Sequence, residues 1–348
     1  MKSKLLGRCL GAAAIVSCLT LGPAAGASEI DDRVEIHGYG YQSFLRSSGN
    51  PFLDADKSGT WINNTLALVF TARLDEKSKL WSQIHSNTEE TRLEWAFVDY
   101  QFSDRVNGRA GKIRLPVGLY NEIRDVRSLQ LSTLPPFIYQ EASGMVSESF
   151  SGVSALYNQA VGRGALVWET YFGQLDPIDD ETMKFRRLAG ARLTWNTPID
   201  GLRFMASAHE SGLEDQSAPI KGRMRLGMLS ADYTIGAWDL KSEFALRRVL
   251  GVPERTGYLQ AGYAVDDRWT PYFRYDYVTT DTRQRKDPSY YQRTATVGIG
   301  YRLSDQVSLR AENHFNRGYA LPVLSGEVEK DMGEYRWNLF SLAINFLF

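Results

Sequence analysis

The chain has 348 residues, with 40 lysines and arginines against 41 aspartates and glutamates, and it lacks the basic excess expected of a nucleic-acid-binding protein. Beyond residue 27 it contains no run of 18 apolar residues, which excludes membrane-spanning helices from that part of the sequence. No Pro-, Gly- or Ser-rich linker divides it, so one large domain is favoured over two.

The first segment, residues 1–27, predicts a cleaved secretory signal peptide. Lys2, Lys4 and Arg8 form a basic start, an apolar core runs from Leu10 to Leu21, and Ala25-Gly26-Ala27 fits an A-x-A cleavage site. The exported domain is then expected to span residues 28–348. It carries all of the 8 tryptophans, 18 tyrosines and 16 phenylalanines.

Both cysteines, Cys9 and Cys18, lie in this leader. The exported domain is therefore expected to have no disulfide and no thiolate metal site. An alternative interpretation is a lipoprotein signal, because Ile15-Val16-Ser17-Cys18 fits the small residues that precede a lipidated cysteine. After cleavage, 37 basic and 41 acidic side chains would remain.

Apolar and polar residues alternate along the rest of the chain with the period of a β-strand. The pattern is clearest at the C-terminus, where one face carries Phe340, Leu342, Ile344, Phe346 and Phe348. The polar faces of the upstream strands carry charges that cannot face lipid, so we expect them to face water inside a barrel. A terminal phenylalanine on such a strand resembles the assembly signal of outer-membrane barrels, which implies that the outer-membrane assembly machinery reads Phe348.

The alternation and the turn residues together predict about sixteen strands. They are expected near 33–46, 60–72, 78–87, 92–102, 107–114, 149–159, 163–174, 183–196, 201–211, 221–234, 237–249, 255–265, 268–280, 290–303, 306–318 and 334–348. Short and long connections alternate between them, as in outer-membrane barrels. The expected fold class is therefore all-β, a transmembrane antiparallel β-barrel, with fourteen or eighteen strands as alternatives.

The longest connection, residues 115–148, follows the fifth expected strand. Its lead-in, GKIRLPVGLYNEIRDV at residues 111–126, resembles the G-K-x-x-x-P-x-G-L stretch of the phosphate-selective porin O and P family. The loop is also similar in position to the loop that narrows the lumen of sixteen-stranded general diffusion porins. The resemblance implies an infolded constriction loop, and the alternative is a surface loop over the mouth.

The residues expected to shape the constriction are Pro116, Gly118, Tyr120, Glu122, Arg124, Asp125 and Arg127. Pro116 and Gly118 end the strand, because proline lacks the ladder donor and glycine admits unusual backbone angles. The phosphate substrate of the resembled family is not carried over, since nothing here securely matches its basic phosphate ladder.

Basic side chains outnumber acidic ones on the expected inner face. The clearest strands direct Arg186, Arg192, Arg203, Lys241, Arg247, Arg274, Arg302 and Arg310 inward against Asp239, Glu243, Asp276 and Glu312. Lys112 and Arg114 are expected to add to the wall beside the loop. Since wall charges act across a narrow aqueous path, this distribution predicts a preference for anions. The alternative is that these arginines pair laterally with acids and only stabilise the wall.

A sixteen-stranded barrel leaves an aqueous channel unless it is plugged. We therefore expect an outer-membrane porin that passes small hydrophilic solutes and ions by passive diffusion, without a cofactor, and the porin resemblance implies a homotrimer. The rival is a structural, adhesin or receptor barrel with a closed lumen. Arg187, Arg248 and Arg293 are expected near the outer rim, where they would bind lipopolysaccharide phosphates or extend into solvent.

His209-Glu210-Ser211 faintly resembles the His-x-Ser of the outer-membrane phospholipase. The alternation turns His209 and Ser211 inward, away from lipid, so no enzymatic activity is expected. The other histidines, His37, His85 and His314, lack the spacing of metal ligands, and no metal site is expected.

Overall fold

A computed structural model of the chain describes residues 33–176, 183–217 and 219–348. The expected signal peptide, the alternative lipidated Cys18 and the cleavage site lie outside the described residues. No helix within these ranges is long and apolar enough to cross a membrane.

In the described residues, antiparallel strands pair in chain order and the first pairs with the last, so that the sheet closes on itself. The sixteen strands are β1 (Val34–Ser47), β2 (Thr60–Arg73), β3 (Ser78–Ser86), β4 (Thr91–Ser103), β5 (Val106–Arg114), β6 (Ser149–Val161), β7 (Gly164–Leu175), β8 (Met183–Asn196), β9 (Leu202–Asp215), β10 (Lys221–Ile235), β11 (Trp238–Val249), β12 (Val252–Tyr263), β13 (Trp269–Thr279), β14 (Tyr291–Arg302), β15 (Val307–Gly318) and β16 (Arg336–Leu347). The predicted barrel of about sixteen strands is confirmed.

The connections differ at the two ends of the barrel. One end, called here the long-loop end, carries residues 48–59, 115–148, 280–290 and 319–335, and the last of these contains the short helix α1 (Ala320–Leu324). The opposite, short-turn end has connections such as 104–105, 236–237 and 303–306. This asymmetry matches the expected alternation of turns and loops.

Successive side chains along a strand point into the barrel and away from it in turn. On β16, Trp337, Leu339 and Ser341 are buried inside, whereas Phe340 and Leu342 are exposed on the outer face. Aromatic and aliphatic side chains cover the outer face of the other strands in the same way. Because a closed barrel has no free strand edge, its exposed backbone groups are restricted to the two ends.

Two glycines close the barrel between β1 and β16. The Gly38 amide donates to the Phe348 carbonyl at 2.8 Å, and the Phe348 amide donates to the Gly38 carbonyl at 2.9 Å. A Cβ on Gly38 would lie 2.2 Å from the Phe348 ring, and one on Gly40 would lie 2.3 Å from the Phe346 ring. The two terminal aromatic rings therefore pack directly on backbone that only glycine leaves free.

Candidate functional site

Residues 115–148 fold into the barrel. Leu115, Val117 and Ile138 are fully shielded from solvent, and Tyr139 packs among inward side chains such as Tyr258. The expected infolded loop is confirmed, and the alternative of a surface loop over the mouth is wrong. Because the loop crosses the lumen, it determines how much of the lumen solvent can enter.

The loop turns inward directly after β5. Pro116 follows the strand, and Gly118 adopts a φ of +62°, where a Cβ would lie 1.9 Å from the Tyr139 hydroxyl. The Asn121 side-chain amide then donates to the carbonyls of Leu115 at 2.8 Å and Ser147 at 3.1 Å. These bonds join the two ends of the loop and hold its base closed.

Glu243 on β11 binds the loop from the wall. Its carboxylate accepts hydrogen bonds from the Tyr139 hydroxyl at 2.6 Å, the Leu119 amide at 2.8 Å, the Ser230 hydroxyl at 2.6 Å and the Tyr258 hydroxyl at 2.9 Å. Burial raises the pKa of Tyr139 well above its usual value, which keeps this phenol protonated and able to donate.

Two more wall carboxylates bind loop amides further along. The Phe137 amide donates to Asp276 at 3.2 Å, and the Thr133 and Leu134 amides donate to Glu312 at 3.2 and 3.3 Å. A buried amide needs an acceptor, and here the wall supplies it. The inward acids Glu243, Asp276 and Glu312 therefore anchor the loop rather than present free negative charge to a solute.

The acids of the loop are neutralised in turn. Glu122 lies 2.5 Å from a guanidinium nitrogen of Arg192, which also contacts Glu169 at 2.7 Å. Asp125 forms an ion pair with Arg114. Since Glu122 and Asp125 are bound by wall arginines, neither of these two loop acids adds a free negative charge to the constriction.

The basic residues of the loop also have local partners. Arg124 Nε lies 2.9 Å from a carboxylate oxygen of Glu148. Burial alone would raise the pKa of Glu148, but the guanidiniums of Arg124 and Arg114 outweigh it and hold that pKa below its ordinary value. Arg127 stacks 5.5 Å from the centre of the Tyr41 ring. Tyr120 accepts a hydrogen bond from Gln260 at 2.9 Å.

Most of the arginines and lysines expected on the inner wall do face the lumen. The inward set is Arg114, Arg192, Arg203, Lys241, Arg247, Arg274, Arg302 and Arg310. Several pair laterally: Arg203 with Asp232 at 2.7 Å and Arg274 with Asp276 at 2.6 Å are examples. These arginines therefore pair laterally with acids of the wall, which is the alternative to lining the pore with free charge.

Lys112 lies on the outer face, which corrects the expectation that it lines the pore. Arg109 and Ile113 occupy buried inner positions of β5, and Lys112 between them lies opposite the exposed Ser151. Arg114, the last residue of the strand, departs from this alternation and reaches Asp125 of the infolded loop. Its ammonium lies 3.3 Å from Asp176 at the rim.

Arg186 is likewise on the outer face. A bulge on β8 shifts the register between Arg186 and Ala189, and Arg187 within it has a φ of +55°. Phe185 and Leu188 point inward on either side of the bulge. Arg186 is left outside, 4.0 Å from Glu214.

An open cavity of about 330 Å³ lies at the short-turn end, between residues 128–131 of the loop and the ends of β13, β14 and β15. Arg302 and Arg310 line it. Arg310 donates to the carbonyls of Arg127 at 2.7 Å and Ser128 at 3.2 Å. Within the described residues, no carboxylate forms an ion pair with either arginine. Arg302 is exposed to the cavity, whereas Arg310 lines it but is largely buried against the loop.

The His209–Ser211 pair lies on the inner face of the barrel. His209 and Ser211 are buried inside the barrel, and Tyr171 lies 3.4 Å from the His209 ring, so the pair does not face the outer surface as a lipid hydrolase requires. Carboxylate oxygens of Glu94, Asp125 and Glu148 lie within 4.8 Å of one another. Arginines form ion pairs with all three, which leaves little net charge to hold a metal ion.

No family model matches the chain. A curated relative, an uncharacterized protein of Aquifex aeolicus, is 33% identical over 115 residues. That match covers 30% of this chain and only 25% of the relative's length.

Solved structures match far more of the chain. An anion-selective porin from Comamonas acidovorans superposes with a TM-score of 0.65 at 13% identity, covering 90% of this chain and 99% of the porin. OmpF of Salmonella typhi superposes with a TM-score of 0.61 at 11% identity, covering 90% of this chain and 97% of OmpF. OmpT of Vibrio cholerae in a trimer form superposes with a TM-score of 0.58 at 13% identity, covering 90% of this chain and 99% of OmpT. The chain thus has the fold of these outer-membrane proteins of Gram-negative bacteria.

Proposed function

We propose that this barrel is an outer-membrane porin of a Gram-negative bacterium that passes small hydrophilic solutes and ions by passive diffusion. The observation that carries the proposal is the loop of residues 115–148, which crosses a closed sixteen-stranded barrel and is bound to its wall by Glu243, Asp276 and Glu312. A loop held in this way sets a narrow bore, and selectivity by size and charge follows from it.

Swelling of proteoliposomes in isotonic solutes of increasing size tests this proposal. We expect swelling with the smallest amino acids and sugars and a steep decline as solute size increases. Proteoliposomes that contain folded protein and do not swell with any solute or salt would contradict it.

We also propose that the pore prefers anions. Three inner acids are bound by loop amides, and the loop acids Glu122 and Asp125 are bound by arginines. Arg302 and Arg310 line the open cavity without a carboxylate partner among the described residues. In the same cavity Asp239 is bound by Lys241. Arg268 and Asp305 also line this cavity. With Asp239 bound by Lys241, three guanidiniums stand against the carboxylate of Asp305, which is an excess of positive charge at this mouth.

A homotrimer is the assembly that we propose. On the outer face of β1 and β2, the Gln42 side chain donates to the Asn64 side chain at 2.6 Å, beside the apolar Phe44 and Leu66. Polar amides on an otherwise apolar outer face are better accommodated against a protein neighbour than against lipid. The trimer form of the Vibrio cholerae structure is consistent with this assembly.

A structural, adhesin or receptor barrel with a closed lumen is the second candidate. It is favoured by the apolar packing inside the barrel, where Leu115, Val117 and Ile138 are fully buried. A further apolar cluster at the long-loop end includes Phe52 and Trp337. Such packing would exclude water from part of the lumen, and conduction separates the two candidates.

A further inference from the structure

Three arginines form a row on the outer face at the long-loop end. Arg293 on β14 is the direct cross-strand partner of Arg317 on β15, and Arg317 is the partner of Arg336 on β16. All three are exposed. Neighbouring strands lie about 4.8 Å apart, so the backbone positions of the row span about 10 Å, within reach of one headgroup that carries several anionic oxygens.

The residues that the structure describes do not neutralise the row. Within the described ranges, none of the three arginines forms an ion pair with a carboxylate. Arg293 lies 5.4 Å from the ring centre of Tyr291, and Arg336 lies 6.0 Å from that of Tyr335. Like charges placed directly opposite one another destabilise a sheet. Three in succession therefore indicate a counter-charge supplied from outside the chain.

A comparison within the barrel supports this interpretation. Arg225 and Arg248 are also direct cross-strand partners at the long-loop end of the outer face. There, however, Arg225 Nε lies 2.5 Å from a carboxylate oxygen of Glu210, and Arg223 lies 3.0 Å from the other oxygen. That site supplies its own acid, whereas the row of Arg293, Arg317 and Arg336 does not.

The surface next to the row is apolar. Towards the middle of the barrel, the outer face of the same three strands carries Val297, Phe315 and Phe340, all exposed. A soluble anion would use the arginines and leave these side chains in contact with solvent. An amphiphile with an anionic head and hydrocarbon chains would use both.

We propose that Arg293, Arg317 and Arg336 bind the phosphorylated headgroup of an outer-leaflet glycolipid whose acyl chains pack on Phe315 and Phe340. Guanidinium groups bind phosphate oxygens bidentately, which is the strongest pairing open to arginine at a lipid headgroup. This inference rests on the proposed outer-membrane location, but it does not require that the barrel conducts.

The test measures binding of purified bisphosphorylated lipid A to delipidated, refolded protein by native mass spectrometry. The variant is R293A/R317A/R336A, and R317A alone serves as a second variant that removes the middle charge only. We expect the triple variant to bind lipid A about tenfold or more weakly, and R317A to be intermediate. The matched control is K77A/R105A/R163A, which removes the same charge from short turns at the opposite end and should bind as the wild type does.

Two results would overturn the assignment: equal lipid A affinity for the wild type and both arginine variants, or displacement of lipid A by inorganic phosphate at equal concentration, which would indicate a free-anion site. Ion conductance is measured on the same samples. Unchanged conductance with lost lipid binding supports the site. If the wild-type protein does not conduct, this counts against the porin proposal, and the comparison of lipid A binding between the variants remains valid.

Discussion

The hydroxyl of Tyr139 in the infolded loop donates a hydrogen bond to the carboxylate of Glu243 on β11 at 2.6 Å. The loop amide of Leu119 donates to the same carboxylate at 2.8 Å. One wall residue therefore holds two parts of the loop that are 20 residues apart in the chain. Displacement of the loop requires both bonds to break within the barrel.

Replacement of Glu243 by Gln should loosen the loop. The amide keeps one acceptor oxygen. In one orientation its NH2 group faces the Leu119 N–H, which can only donate, and in the other it can no longer accept from the Tyr139 and Tyr258 hydroxyls. Loss of a buried acceptor costs about 1–3 kcal/mol, so we expect larger and noisier single-channel currents with the barrel intact. Glu210→Gln, on the outer face, is the control. Identical currents in wild type and E243Q would refute the anchoring role.

Selectivity should depend on Arg302 and Arg310. The double substitution R302A/R310A removes two guanidiniums of the inner wall that have no carboxylate partner among the described residues, and it should reduce the anion-to-cation permeability ratio about twofold or more. Reversal potentials in a potassium chloride gradient provide the measurement. Lys112→Ala and Arg186→Ala, both on the outer face, should leave the ratio unchanged. A shift of equal size in these two controls would contradict the assigned faces.

Lys112 and Arg186 also show which features of the fold could be predicted from the sequence and which could not. Two-residue periodicity is a local property, and it located every strand from residues that lie next to each other. The bulge at Arg186 and Arg187 inserts one residue without a glycine to mark it, so the alternation could not reveal the change of face. On the short strand β5, the expected inward Lys112 had too few neighbours to establish its phase.

The contacts between the loop and the wall could not be predicted from the sequence, for a different reason. Glu243 was correctly expected on the inner face, but its partner Tyr139 is 104 residues away in the chain. Nothing local to Glu243 distinguishes an acid that faces solute from one that binds loop amides. Most of the charged side chains predicted to point inward therefore do so, whereas their binding partners are visible only in the folded structure.

Assembly should depend on Phe348. Its backbone pairs with Gly38 and its ring packs on that glycine, so loss of the ring weakens the last closing contact of the barrel. Phe348→Ser should lower the amount of protein in the outer membrane and leave unfolded chain in the periplasm, as measured by cell fractionation and immunoblotting. Phe102→Ser, an exposed aromatic on β4, is the control. Equal outer-membrane levels of F348S and wild type would argue against the terminal signal.

Trimer formation should be sensitive to Asn64. A tryptophan at this position removes the hydrogen bond from Gln42 and adds bulk to the outer face of β1 and β2. We expect N64W to migrate as a folded monomer on unheated gels where the wild type migrates as a trimer. Ala206→Trp, on the outer face of β9, should remain trimeric. A trimeric N64W would place the interface elsewhere on the barrel.

Single-channel recording of the purified wild-type protein in planar bilayers tests the central proposal most directly. With folding verified by heat-modifiable migration, we predict discrete conductance steps and, in a potassium chloride gradient, a reversal potential of anion-selective sign. Folded protein that inserts without any conductance would contradict the porin account and favour a barrel whose lumen is closed by residues 115–148.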